Sequence, residues 1–392
     1  MYKLLRLFTF VFVAIFYSGC ALLSNEQPRY EQIDQEQAFS ILFDEHQFTN
    51  DVLPSMSQYD FSGMDFSHVK LSFYNLGFNQ FSSTNFTSAN LNKVILHAGN
   101  FENAVFDNAT LINVDLSGAN LKNASFINTR FINVNLKGAD LSNARMEHAL
   151  VSNSDLSKAV LNDTIIKHSK FENSKLNHVV MFYSQVDSCD FSGNNIKFSN
   201  WSGSKITNSK FINSILERSK FDYSSLENNN FTASVLVNSS WQKAKLNKVS
   251  LFQSNAIGLR LTGATIIDSD FSSADLRETL LEESEFVNTN INNSNLELSK
   301  LNYSKLENID MINTLLSKAN FYRASLKNSN LQESKAKWTS FVMSDLSNAS
   351  FDNTDIHKAD FRGANLLNTK LKQAKNLKYA IGFDKADNYN SP

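Results

Sequence analysis

An apolar residue returns at every fifth position from Phe61 to Leu371, through 63 consecutive units without a slip. In residues 106–146 the series reads Phe106, Leu111, Leu116, Leu121, Phe126, Phe131, Leu136, Leu141 and Met146. Every such position in the chain holds Phe, Leu, Ile, Val, Met, Trp or Ala, although only 42% of all residues are hydrophobic. A five-residue period fits neither the 3.6-residue turn of a helix nor the two-residue alternation of a strand. Fixed-period self-similarity over such a length means stacked structural repeats.

A second column lies two residues before each central residue. Ala104, Ala109, Val114, Ala119, Ala124 and Thr129 belong to it, and 55 of its 63 positions are Ala, Ser, Thr, Val, Cys or Gly. The exceptions include Tyr59, Met64, Tyr74, Leu259 and Ile309. A narrow lumen admits one large side chain per edge only beside a small one. Sorting the central residues by twenty gives a column, Leu76, Leu96, Leu116, Leu136 and onward to Ile356, that contains no aromatic residue. The other three columns hold all the central Phe and Trp, Phe61, Phe81, Phe101, Trp201, Phe221 and Trp241 in one of them. One coil therefore takes 20 residues and has four edges.

These residues resemble the A-[D/N]-L-x-x signature of the pentapeptide-repeat family over about four-fifths of the chain. The resemblance implies an all-β fold, a right-handed quadrilateral β-helix. Residues 61–375 would supply about sixteen coils, or a rod on the order of 75 Å long at ~4.8 Å per coil. Its exposed ends need covers. Asp34-Gln35-Glu36-Gln37 reads as a capping box. It opens a helix over roughly 34–46 that carries Ala38, Phe39, Leu42 and Phe43 on one face. The N-terminal cap is placed at 34–60. Asn376 breaks the register, and Leu377, Ala380, Ile381 and Phe383 form a C-terminal cap within 376–392.

Upstream, residues 1–19 read as a signal peptide. Lys3 and Arg6 precede an apolar stretch from Leu7 to Tyr17, then Ser18 and Gly19. Tyr17-Ser18-Gly19-Cys20 resembles a bacterial lipobox, with Tyr17 where Leu is usual. The resemblance implies cleavage before Cys20, a lipid on its thiol, and residues 20–33 as a tether to the membrane. Ala21 after the Cys implies the outer membrane of a Gram-negative cell.

Nothing in the repeat has the spacing of a catalytic site, a phosphate loop or a cofactor site, so a non-enzyme without cofactors is expected. Cys189 falls in the small inward column and is read as packing. His148 and His168 lie 20 apart and should stack. Two imidazoles without a third ligand at matching phase do not make a zinc site, so no metal is expected. Asn113, Asn133, Asn153 and Asn173 form an amide ladder of the kind that ties stacked strands together.

Binding is the remaining use. The repeat body is near neutral, with 32 basic against 29 acidic residues. Asp268, Asp270, Asp275, Glu278, Glu282, Glu283 and Glu285 nonetheless crowd one segment, downstream of a basic one at 197–248. Phe182, Tyr183, Tyr223 and Tyr303 are outward aromatics, the tyrosines at one phase of the coil. Both groups are candidate contact sites. The reading that follows is an envelope-anchored scaffold, held in the membrane by its lipid and binding envelope proteins. An end-to-end homodimer stays open. The family resemblance offers a second reading, a DNA-mimic protector of a type II topoisomerase. The near-neutral body and the export signal count against it, and no nucleic acid is expected as a partner. A secreted or surface effector is the third.

Overall fold

The computed structural model describes residues 29–43 and 56–383. Residues 1–28, where the signal peptide and Cys20 anchor are expected, and 384–392 lie outside the described residues, as do 44–55 of the N-terminal cap. The body is an all-β parallel solenoid. Asp60 bridges Gln80, Gln80 bridges Asn100, and the same edge continues in steps of 20 residues to Asp360. The last step, from Asp360 to Ile381, takes 21 residues, because Asn376 adopts a left-handed conformation there and starts a short helical turn at Leu377–Tyr379.

Four faces follow from the four central columns. Face 1 is centred on Phe61, Phe81 and Phe101; face 2 on Phe66, Phe86 and Phe106; face 3 on Leu71, Leu91 and Leu111; face 4 on Leu76, Leu96 and Leu116. No central residue from Phe61 to Leu371 is more than 4% exposed. The 20-residue step sets like over like. Phe61, Phe81 and Phe101 stack at centroid distances of 5.0 and 4.7 Å, and Phe191, Phe211 and Phe231 at 5.1 and 4.6 Å. At about 25 cal/mol per Å² of buried apolar surface, this continuous lumen is the main source of stability.

Each corner is made by the two residues after a central one. The second of these sits at positive φ, as at Asn108 (62°), Tyr223 (59°) and Gly203 (73°). No Val, Ile or Thr occurs among the positive-φ residues, because branching at Cβ clashes in the left-handed region. Most corners close with a bond from the small residue back to the central carbonyl, for example Ala104 N–H to Phe101 O at 3.0 Å. Where the chain stays extended through the corner, short strands appear. Six of them, Lys70–Ser72 to Lys170–Glu172, pair on face 3, and eight, Arg145–Glu147 to Glu285–Val287, on face 2.

Most of the polar side chains in the small column are satisfied; the Ser254 hydroxyl is buried without a partner. Thr84 Oγ1 donates to Phe61 O at 3.0 Å and Ser219 Oγ to Ile196 O at 2.8 Å, each to the coil before. Two of its exceptions have local causes. Leu259 follows a central Ala256, so large and small have exchanged places at constant volume. Tyr74 reaches the end cap, where its hydroxyl donates to the Leu42 carbonyl.

That cap is helix α1, Gln35–Phe43. Asp34 N–H donates to Gln37 Oε1 at 2.9 Å and Gln37 N–H to Asp34 Oδ1 at 2.8 Å, the two reciprocal bonds of a capping box. Gln35 clamps the helix to the first coil through both the amide and the carbonyl of Asp65. Ala38 and Leu42 are buried and Phe39 packs edge-on against Phe66, but Phe43 is 41% exposed. One residue on from Leu42 the helix has turned about 100°, which carries Phe43 off the lumen. Glu31–Gln32, placed in the tether by sequence, pair as a strand with Tyr59–Asp60. At the other end Phe383 stacks on Phe361 at 5.1 Å, whereas Ile381 is turned outward.

Candidate interaction surface

The left-handed corner residues project furthest from the rod, so they decide what each edge offers. Along the edge between faces 2 and 3 most are polar: Asn108, Asn128, His148, His168, Asn208, Asn228, then Asn288 to Asn368. Asn128 donates to Asn108 at 3.1 Å and Asn328 to Asn308 at 2.9 Å, one coil apart. The edge between faces 3 and 4 carries Asn113 and Asn133, bonded at 2.5 Å.

The two edges that flank face 1 differ. Phe78, Phe198, Leu298 and Trp338 stand on the edge between faces 4 and 1, and Tyr183, Tyr223, Tyr303 and Met343 on the edge between faces 1 and 2. They are eight of the eleven large apolar side chains exposed on residues 61–375; Phe73, Val287 and Leu367 are the others. Leu298 is level with Tyr303, and Trp338 with Met343, so two coils are apolar on both edges; Phe78, Tyr183, Phe198 and Tyr223 are level with Ser83, His178, Gly203 and Arg218. Tyr183 leans over Gly203 in the next coil, where a Cβ would stand 2.6 Å from its ring. That puts its ring level with Phe198. Cations border these side chains. Arg218 lies over Phe198 at 5.8 Å, Lys243 over Tyr223 at 5.7 Å and Lys358 over Trp338 at 4.2 Å.

The sequence-predicted residues are distributed unevenly. Tyr183, Tyr223 and Tyr303 share the face 1–face 2 edge, with Tyr223 65% exposed. Phe182 is half-buried beside Tyr183, at a centroid distance of 6.4 Å. The seven acidic residues do not form a patch. Their segment nearly completes one 20-residue coil, so it wraps the rod. Asp270 lies on face 3, Asp275 on face 4, Glu285 on face 2, Asp268 at the face 2–face 3 corner, and Glu278, Glu282 and Glu283 at the corners of face 1. Several already have partners: Arg277 holds Asp275 at 2.6 Å, Lys305 lies 3.9 Å from Glu285, and Asp270 accepts from Ser272 Oγ at 2.6 Å. Phe78, Phe198, Leu298, Trp338 and Met343 were not singled out from sequence. Sorting the corner residues by twenty, as was done for the central ones, would have found them.

His148 and His168 stack at 4.9 Å, and among the described residues no group of three or more His, Cys, Asp or Glu could hold a metal ion. Cys189 is buried, and burial pushes its thiol up to about 12. Its Sγ lies 3.2 Å from Asp187 O. A thiol so placed is no nucleophile at neutral pH.

Residues 100–138, 139–177 and 266–302 match the family profile described as pentapeptide repeats (8 copies), and residues 304–380 the one described as a pentapeptide repeat region. No curated protein matches the sequence. Among solved structures, the chain is similar to HetL, a pentapeptide repeat protein involved in heterocyst differentiation regulation from the cyanobacterium Nostoc sp. strain PCC 7120. Identity is 20%, coverage 54% of this chain and 93% of HetL, and TM-score 0.45. It is similar to QnrB1, a plasmid-mediated fluoroquinolone resistance protein, at 17% identity over 58% of this chain and 91% of QnrB1, with TM-score 0.19. It is also similar to Rfr23, a pentapeptide repeat protein from the cyanobacterium Cyanothece 51142, at 22% identity over 36% of this chain and 63% of Rfr23, with TM-score 0.08. The unbroken five-residue register, the four-sided coil and the profile matches together support the pentapeptide-repeat family for this chain.

Proposed function

We propose that this chain is a non-catalytic scaffold, anchored in the cell envelope, that presents face 1 of its rod to protein partners. One observation carries the reading: eight of eleven exposed large apolar side chains of the repeat border a single face. Exposed aromatics and Met with neighbouring Arg are the side chains enriched at protein interfaces. Scattered singly they would need no explanation, but gathered on one side of a rod they do. The opposite edge, with its bonded Asn, offers no comparable apolar area.

The anchoring half of the reading rests on Lys3, Arg6, the apolar stretch to Tyr17 and Gly19-Cys20. Acyl chains on one Cys would hold the rod at the membrane, since each buried CH₂ contributes about 0.8 kcal/mol. The test is metabolic lipid labelling of the wild type beside Cys20→Ala, followed by fractionation. The reading expects label and membrane association in the wild type and neither in the variant. Label that persists in Cys20→Ala, or never appears, would remove the anchor.

A further inference from the structure

Face 1 matches itself when turned end for end. We propose that two copies of the chain pair antiparallel through face 1, about a twofold axis at the level midway between Ser240 and Arg260. The pairing rests on the reading of face 1 as the presenting surface and not on the membrane anchor.

The match is read from the register. On the edge between faces 4 and 1, Phe198 and Leu298 lie two and a half coils to either side of the axis level. Arg218 and Glu278 lie one and a half coils to either side. In the pair, Phe198 of one copy therefore meets Leu298 of the other, and Arg218 meets Glu278. The twofold makes each contact twice. On the other edge Tyr223 comes opposite Glu283, a hydroxyl facing a carboxylate. Tyr303 comes opposite Gly203, over which the Tyr183 ring lies.

Charge favours this orientation over the alternative. A parallel pair would set Glu278 against Glu283 and Lys318 against Arg323, like charge on like charge. The antiparallel pair instead sets Arg218 against Glu278 twice, with Lys220 opposite Leu280 and Lys243 opposite Gly263; Asp222 against Glu282 is a like-charge contact on the other edge. The Arg218–Glu278 match, made twice by the twofold, is the charge contact that favours the reversed copy. The size fits a weak pair. The contacts run over about seven coils at ~4.8 Å, across five residues at ~3.3 Å each. That is on the order of 550 Å² per copy, below the ~800 Å² per partner of a standard interface and in the range of a weak, concentration-dependent pair.

The test uses the full-length chain in mild detergent, measured by light scattering and sedimentation over a concentration series. The variants are Arg218→Glu, Glu278→Arg and the two combined; both residues are exposed, and circular dichroism checks the fold. The pairing predicts a two-copy species for the wild type. Each single reversal should weaken association at least tenfold, and the combined variant should recover it. As a second readout, a mixture of Gln242→Cys chains with Thr262→Cys chains should give disulfide-linked heteropairs. A monomer at every concentration, a dimer indifferent to the reversals (an end-to-end contact), or a combined variant no better than the singles would overturn the proposal. A monomer that still crosslinks other envelope proteins through Tyr223 would overturn the pairing and leave the scaffold reading standing.

Discussion

The backbone amide of Ser209 donates to the side-chain Oδ1 of Asn229, one coil further on, at 2.9 Å. Asn229 in turn donates from Nδ2 to Ile206 O at 2.8 Å. The pair shows how an open corner is tolerated. Where the chain stays extended, the small residue's amide loses its bond to the central carbonyl, and a polar atom from the next coil accepts it. Cys189 N–H to Ser209 Oγ at 3.1 Å and Ser174 N–H to Asn194 Oδ1 at 2.8 Å repeat the device. Asn79, which accepts from Tyr59 N–H, is a third buried Asn in the small column.

Asn229→Ala should therefore cost about 1–3 kcal/mol, the penalty of a buried amide left without an acceptor. Asn228→Gly, at the exposed left-handed corner beside it (φ 53°), which glycine adopts freely, should stay within about 1 kcal/mol. Denaturant midpoints of the two variants check this.

Cys189 should resist alkylation in the folded chain at pH 8 and react once it is unfolded, as read from labelled peptides by mass spectrometry. Its folded pKa of about 12 also sets a direction for stability. An unfolded thiol ionises near pH 8.5, so above that pH ionisation favours the unfolded state until the folded thiol ionises as well. Stability should fall from about pH 9 towards about pH 12, and by less in Cys189→Ser, where the hydroxyl common in this column does not ionise. Equal losses in both chains would refute the assignment.

The two lumen tryptophans on face 1 differ by one bond. Trp201 Nε1 donates to Ser199 Oγ at 2.8 Å. Trp241 Nε1 has no partner, and Ser239 Oγ, its counterpart, donates to Leu236 O at 2.6 Å. Trp→Phe leaves a similar void at either site, so the difference between the two variants reads the bond. Trp201→Phe should be the more costly by about 1 kcal/mol in thermal or chemical unfolding.

Leu216 is fully buried in the aromatic-free column. Leu216→Asp would place an unpaired carboxylate in the lumen and should cost about 3–5 kcal/mol. An unchanged melting temperature would contradict the inward placement of this column.

The lumen was legible in the sequence because packing repeats every fifth residue and aromatic exclusion every twentieth. The capping box at Asp34 and Gln37 was legible for the same reason, since its chemistry is local. What the linear sequence hid was lateral position. Glu278 and Asp270 are close in sequence but point from different sides, while Phe198 and Trp338 are far apart in sequence and share an edge. The buried Asn residues were hidden too, because whether a corner is closed or open depends on backbone conformation rather than on residue type.

The most direct test of the account is site-specific photocrosslinking in intact cells. A photoreactive residue would replace Tyr223, on the edge of face 1, and in a second strain Asn328, on the edge between faces 2 and 3. The account predicts protein adducts from Tyr223 and few or none from Asn328. Equal crosslinking from both positions, or adducts from Asn328 alone, would contradict the claim that face 1 is the presenting side of the rod.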